Sequence, residues 1–371
     1  MNYKFVCPCL FGLEGLVADE LRAMNALNVT PETGRVFFEG GVDMLARANI
    51  NSRYSERVLI HMGTFKALTF EQLFEGVRAL NWKEWIGKQD AFPVKGRSLS
   101  SQLSSIPDCQ SIIKKAVVEN LKPVYNVPWF EETGDVFQIQ FLIIKDTVTV
   151  MIDTTGDGLH KRGYRANSTE APIKETLAAA MCRLAKIQPN RVLIDPFCGS
   201  GTILIEGVMM ALNIAPGLKR RFAAEKWEKI SQDVWMSERK RANEAINQDA
   251  EFTALGFDND AAAVSLTAEN AKKAGVAHKI TVEKRDFADW SYDGEKATIV
   301  CNPPYGERLM DRQQAAELYK LMGKKFMHNH WYSYFIISPD DDFENLFSRP
   351  ADKRRKLYNG MIKCQLYMYF K

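Results

Sequence analysis

Asn302-Pro303-Pro304-Tyr305 gathers an amide, two carbonyls free of helix pairing and an aromatic ring on four consecutive residues. The Asn302 side-chain oxygen and the Pro303 carbonyl can each accept one hydrogen of an exocyclic amine. That aims the nitrogen lone pair at an electrophile, while Tyr305 stacks on a planar ring. The residues before it, Ala297-Thr298-Ile299-Val300, are short, apolar and β-branched, like a buried parallel strand. Two prolines remove two backbone donors and fix φ, so that strand must stop. The four residues then form a stiff loop at a strand's carboxyl end, where open α/β sheets hold ligands. Taken alone, they also describe a Pro-Pro turn closed by a core tyrosine.

Three earlier strand ends carry matching chemistry. Val192-Leu193-Ile194 runs into Asp195-Pro196-Phe197-Cys198-Gly199-Ser200-Gly201-Thr202, with a helix from Ile203. Glycines at such a bend let a ligand lie against the backbone and face the helix's first amides. A dinucleotide fingerprint calls for a third glycine where Leu204 stands, which counts against a nicotinamide cofactor. Thr253 to Phe257 reads as the next strand and ends at Asp258-Asn259-Asp260, where an acid can take two ribose hydroxyls. Lys279 to Glu283 is the third, followed by Asp286-Phe287, able to face an adenine amine and ring. Asp195 and Asp258 can equally cap their own turns, and Phe287 can be core.

These loops need an alternating α/β frame, and the second half of the chain has that rhythm. Ser168-Thr169 caps and Pro172 opens a helix over Ile173 to Ala185; another runs from Ala261 to Ala274, ended by Gly275. Between them, about 213–250 is a Lys- and Arg-rich amphipathic insertion carrying Trp227 and Trp235. Lys353 to Tyr358, Asn359-Gly360 and Ile362 to Phe370 read as a hairpin with a tight turn. The first half mixes strands (Lys4 to Cys9, 34–41, 57–65, 91–94, 137–144, 147–152) with helices (13–26, 42–48, 69–80, 108–121), without a catalytic cluster. That is the pattern of small α+β modules. Lys95 to Gln102 reads as a solvated loop, or a phosphate-contacting one.

Composition bounds the setting. The chain has 371 residues, is 46% hydrophobic and carries a net charge of +3, so any nucleic-acid surface must be a local patch. Seven cysteines show no C-x-x-C or matching histidine pair, which predicts buried thiols, no metal and a reducing cytoplasm. No apolar run reaches membrane length and no signal peptide is visible.

Asp195 to Gly201, Asp258, Asp286-Phe287 and Asn302 to Tyr305, in that order and each ending a strand, resemble a class I S-adenosylmethionine-dependent amino methyltransferase. More closely, Glu170-Ala171-Pro172-Ile173-Lys174-Glu175-Thr176-Leu177-Ala178-Ala179 and Lys353-Arg354-Arg355-Lys356-Leu357-Tyr358-Asn359-Gly360 resemble the THUMP-domain RNA methyltransferases. That family includes the bacterial 23S rRNA guanine-N2 methyltransferase and the tRNA guanine-N2 methyltransferases. The resemblance implies an α/β class I fold, a Rossmann-like seven-stranded sheet with an antiparallel C-terminal hairpin. It would follow a ferredoxin-like module (1–55) and a THUMP domain (56–155), the catalytic domain spanning 161–371.

By the same resemblance, Gly199 and Gly201 would cradle the methionine part of S-adenosyl-L-methionine, with Thr202, Asp195, Phe197 and the Pro172–Thr176 turn beside it. Asp258 and Asn259 would hold the ribose, Asp286 and Phe287 the adenine. Asn302, Pro303, Pro304 and Tyr305 would take the target amine. Arg162 and Arg165 of a basic connector, and Lys353, Arg354, Arg355 and Lys356, are the candidate RNA contacts, the last four reading equally as the solvated charged face of a strand end. The expected reaction is methyl transfer to an exocyclic amine of RNA, first the 2-amino group of guanine in rRNA. The alternatives are tRNA guanine-N2, the adenine 6-amino group of RNA or DNA, and a non-catalytic RNA-binding factor. Recognition is expected to divide from chemistry near residue 160, so that a chain beginning near Lys161 would still bind the cofactor.

Overall fold

The computed structural model describes residues 1–165, 172–305, 311–326 and 331–370. The Ser168-Thr169 cap, Glu170-Ala171 and the Gly306–Leu309 continuation of the proline loop lie outside these residues. The first half supplies β1 (Tyr3–Pro8), α1 (Glu14–Ala23), β2 (Leu27–Glu32), β3 (Arg35–Gly40), α2 (Val42–Asn51), β4 (Leu59–Lys66), α3 (Phe70–Arg78), β5 (Val94–Leu99), α4 (Ile106–Tyr125), β6 (Ile139–Ile144) and β7 (Thr147–Asp153). Its strands form one seven-stranded sheet, β2-β3-β1-β4-β7-β6-β5, in which every pairing but β5–β6 is antiparallel. The strand pairing that joins the two modules, β1–β4, is two residue pairs long, Phe5↔Ile60 and Val6↔Leu59.

Two local expectations fail here. The polar run from Lys95 is not a loop as far as Leu99: it is edge strand β5, parallel to β6 from Val94↔Ile139 to Leu99↔Ile144. Gly96 makes this possible, since a Cβ there would stand 2.3 Å from the Phe141 carbonyl oxygen. β2 was absent from the sequence reading because it is mostly exposed and contains Pro31, both tolerated at an edge.

The second half supplies α5 (Glu175–Leu184), β8 (Val192–Asp195), α6 (Thr202–Ala211), α7 (Gln232–Glu244), β9 (Ala254–Asp258), α8 (Ala261–Ala274), β10 (Ile280–Lys284), β11 (Ala297–Cys301), α9 (Arg312–Phe326), β12 (Tyr332–Ser338), α10 (Phe343–Phe347), β13 (Lys353–Asn359) and β14 (Ile362–Tyr369). The sheet order is β10-β9-β8-β11-β12-β14-β13, with β14 antiparallel to both neighbours and the other pairs parallel. Chain order reverses between β8 and β11, and a crevice opens beyond the carboxyl ends at such a point. β11 is buried along its whole length, as its β-branched run requires.

The halves are packed into one body. The amphipathic 213–250 stretch contributes to the seam. Trp227 stacks on Phe137 at 4.2 Å and 21° and donates to the Val136 carbonyl at 3.1 Å. Arg47 of α2 meets Glu238 of α7 through two bonds of 2.9 and 2.7 Å. Gly217 donates to the Ile50 carbonyl at 2.8 Å, where a Cβ would reach within 2.7 Å of the Ile50 Cα. The basic connector is part of this seam, which corrects its assignment to RNA. Arg162 is 1% exposed at its side chain, donates to the Leu159 carbonyl at 2.7 Å and faces the fully buried Glu206 at 3.4 Å. Arg165 pairs with Glu175 at 3.1 Å and donates to the Ile173 carbonyl. A guanidinium in a sequence run does not reveal its partner; here buried carboxylates claim both.

Candidate active site

Each acid at a strand end shapes its own turn. Asp195 accepts from the Phe197 amide at 3.1 Å, Asp258 from the Asp260 amide at 3.0 Å, and Asp286 from the Ala288 amide at 2.7 Å. The Asp258 carboxylate also accepts from the Gly199 amide at 2.9 Å, which joins the β8 and β9 loops. An ionised carboxylate has about four acceptor positions, so a turn role leaves room for a ligand. Capping and binding are therefore compatible in one residue.

The loop after β8 is fastened from α8. Thr267 donates to the Gly199 carbonyl at 2.8 Å and Asn270 to the Ser200 carbonyl at 3.0 Å. Gly199 and Gly201 have φ of 53° and 78°. Their tasks differ. Gly199 lines the crevice, whereas Gly201 enters α6 with Thr267 packed where a Cβ would be, at 2.5 Å.

The crevice encloses about 640 Å³, within the range of small-molecule sites. Pro172, Asp195, Phe197, Gly199 and Thr202 line one part; Asp258, Asn259, Asp286 and Phe287 line another; Asn302, Pro303, Pro304 and Tyr305 line a third. Two expected members lie off it. Gly201 is one, and Thr176 is the other: fully buried, Thr176 donates to Glu56 at 2.8 Å across the seam. Although burial opposes it, His160, Lys174 and Thr176 hold Glu56 down to about 2. Phe287 is core and crevice wall together, tilted against Phe197 at 4.8 Å and stacked with Trp290 at 5.8 Å.

Sequence reasoning missed Arg285, which lines the crevice beside Asp286, lies over the Phe257 ring at 4.9 Å and pairs with Glu283 at 2.7 Å. It also missed Asn359, whose Nδ2 donates to the Tyr305 hydroxyl at 2.8 Å. Arg285 was visible as the neighbour of Asp286. Asn359 read only as a turn residue of the hairpin motif, because its contact with Tyr305 spans 54 residues.

Two electrostatic features say what the crevice accepts. Burial pushes the Asp195 carboxyl up to about 8, the Phe197 amide opposing and Asp258 adding to the rise. A buried acid in this state favours a cationic ligand, which would let it ionise. The Asn302 Oδ1 is buried and, among the described residues, accepts no hydrogen bond. S-adenosylmethionine carries a sulfonium, an ammonium, a ribose and an adenine, so this donor and acceptor set fits it. When bound, it supplies an electrophilic methyl group. The chain's own part is to orient both reactants and to keep water from the space between them.

Comparison with known proteins agrees with this reading. The family described as "RMKL-like, methyltransferase domain" matches residues 162–368, the RlmL ferredoxin-like domain 4–59 and the THUMP domain 67–153. The chain is 40% identical to "Putative RNA methyltransferase YpsC" of Bacillus subtilis (strain 168), across 100% of this chain and 96% of that protein. Among solved structures, SMU.472, described as a putative methyltransferase complexed with SAH, is 39% identical. That match covers 100% of this chain and 98% of SMU.472, with a TM-score of 0.95. A Listeria monocytogenes protein described as a predicted N6-adenine-specific DNA methylase is 40% identical over 100% of this chain and 96% of its own, with a TM-score of 0.94. The loops and these likenesses converge: the chain belongs to the THUMP-domain class I RNA methyltransferases and uses S-adenosylmethionine as its cofactor.

Proposed function

We propose that the chain methylates an exocyclic amine of an RNA base, the 2-amino group of guanine in rRNA being the first candidate. One observation carries this: the buried Asn302 Oδ1 at the crevice, without a donor among the described residues. A buried acceptor left unpaired costs about 1–3 kcal/mol, and an amine hydrogen removes that cost. The Pro303 carbonyl takes the second hydrogen, and Tyr305 stacks on the base. Held so, the amine nitrogen presents its lone pair to the methyl group, and no covalent enzyme intermediate is needed.

RNA contacts fall to Lys353 and Lys356, both exposed on edge strand β13. Arg354 already pairs with Glu344 at 2.7 Å, and Arg355 donates to the Gly12 carbonyl at 2.6 Å. The cytoplasm is the setting that such an RNA target implies; among the described residues no helix is long and apolar enough to cross a membrane.

A second reading, methylation of the adenine 6-amino group, is favoured by the same loop, which suits either amine, and by the description of the Listeria relative. The test is methyl-labelled cofactor with ribosomal RNA, transfer RNA and genomic DNA from a strain lacking the gene, followed by nucleoside mass spectrometry. N2-methylguanosine in rRNA is the expected product. N6-methyladenosine selects the second reading, and label in DNA alone overturns RNA as the substrate.

A further inference from the structure

The amide-and-ring loop is steadied from outside its own sheet. Asn359, which holds Tyr305, ends β13, and β13 is fastened to the N-terminal module. Arg355 donates to the Gly12 carbonyl at 2.6 Å, and a Cβ on Gly12 (φ +90°) would stand 2.7 Å from the Lys356 carbonyl oxygen. Next to Gly12 is Phe11, which remains 54% exposed.

That ring is fixed rather than loose. Tyr358 meets it with centroids 5.8 Å apart and planes at 68°. Gly34 (φ +75°) leaves it space, since a Cβ there would approach Phe11 Cε1 to 2.9 Å. One carboxylate ties both supporting turns: Glu14 accepts from the Gly12 amide and from the Gly34 amide, each at 2.9 Å. Beside the pair, the Lys356 ammonium lies 5.5 Å from the Tyr358 ring centre. A ring that merely filled the seam would be buried, as Trp227 and Phe137 are. Phe11 instead keeps open surface in a braced position, one residue pair away from the residue that anchors Tyr305.

We propose that Phe11 is a stacking platform for an unpaired RNA base flanking the target nucleotide, with Lys356 taking a neighbouring phosphate. The proposal rests on RNA as substrate and adds a contact from the N-terminal module, joined to the crevice residue Tyr305 through Tyr358 and its chain neighbour Asn359. Turning a base into a pocket strips its neighbour of stacking, and an aromatic side chain at that place restores it whatever the sequence.

The experiment compares full-length Phe11→Ala, Phe11→Leu and Phe11→Tyr with the native chain on rRNA from a strain lacking the gene. It reads methyl transfer, filter binding of that RNA, cofactor affinity and unfolding temperature. Ala and Leu should raise KM and weaken RNA binding roughly tenfold, the scale of one lost stack, while Tyr stays near native. Cofactor affinity and unfolding temperature should not move. Leu matching the native chain would overturn the platform, because apolar bulk would then suffice; so would losses that follow the unfolding temperature. Should the native chain bind this RNA and transfer no methyl to it, base methylation fails, and the binding of the three variants alone decides for or against Phe11.

Discussion

Seven strands make each of the two sheets, yet the described crevice lies at only one of them. In the first sheet all pairings but one are antiparallel, so its turns alternate between the two ends and its polar loop groups scatter. In the second, β8, β9, β10 and β11 run parallel, and four loops reach the same edge. Strand direction, more than residue type, is what concentrates acids, glycines and the proline loop into one place. The first half contributes differently: Arg47, Phe137, Arg53 and Glu56 pack it against the second. The halves thus divide the labour of chemistry and support without dividing into independent bodies.

The largest expected effect tests that last point. Arg162→Ala leaves Glu206 buried without its cation and should cost about 3–5 kcal/mol in denaturant unfolding, in a single transition for the whole chain. A chain beginning at Lys161 should fail to fold cooperatively, because it uncovers Trp227, which packs on Phe137 and Trp85. A folded, cofactor-binding fragment would restore the two-body division expected from sequence. Native stability with lost RNA affinity in Arg162→Ala would return that arginine to the RNA surface.

Within the second sheet, Asn302→Ala should cut turnover by roughly 100-fold or more, as loss of a preorganised polar partner does. Cofactor affinity should fall much less, which steady-state kinetics and calorimetry separate. Unchanged turnover would take Asn302 out of the mechanism.

Asp258→Ala should weaken cofactor binding by about 1.5–3 kcal/mol per charged hydrogen bond lost. It should also lower the unfolding temperature, since the Gly199 and Asp260 amides lose their acceptor. Asp258→Asn keeps one of the two oxygens that take these amides separately, so it should recover one turn bond and part of the stability, and less of the affinity. Equal recovery of both would mean that Asp258 only builds the loop.

The smallest effect per step, taken over one pH unit, is a pH dependence. Folded without a cation, Asp195 holds its proton up to about 8, well above the ordinary 3.8, so its contribution to stability declines as pH rises between those values. A cationic cofactor favours the ionised form, so binding releases a proton in that window. Affinity should climb toward about pH 8 by at most tenfold per unit, then level off. Calorimetry in buffers of different ionisation enthalpy reads the proton directly. Asp195→Asn should flatten the profile; a native slope in that variant would assign the dependence elsewhere.

Much of the site was legible in the chain because its signals are local. A β-branched run followed by Asn-Pro-Pro-Tyr can only end a strand, and glycines after Asp195 can only open a turn. Asp258 and Asp286 were legible for the same reason, each bonding an amide two residues on. Local signals also misled. Lys95 to Leu99 looks like a loop, since its strand pairing comes from residues more than forty positions away. The family resemblance, too, set Thr176 beside the cofactor, whereas its hydroxyl bonds Glu56, 120 residues distant.

By itself, then, the sequence determined the turns, the parallel strands and the residue types at their ends, all properties of short stretches of backbone. Only the tertiary structure decided which charges are buried. Arg162 and Arg165 face Glu206 and Glu175, while Lys356 stays in solvent. The same decision paired Asn359 with Tyr305 and left Phe11 open beside them. The physical reason is that desolvation and long-range pairing depend on what else packs nearby, which no run of neighbouring residues specifies.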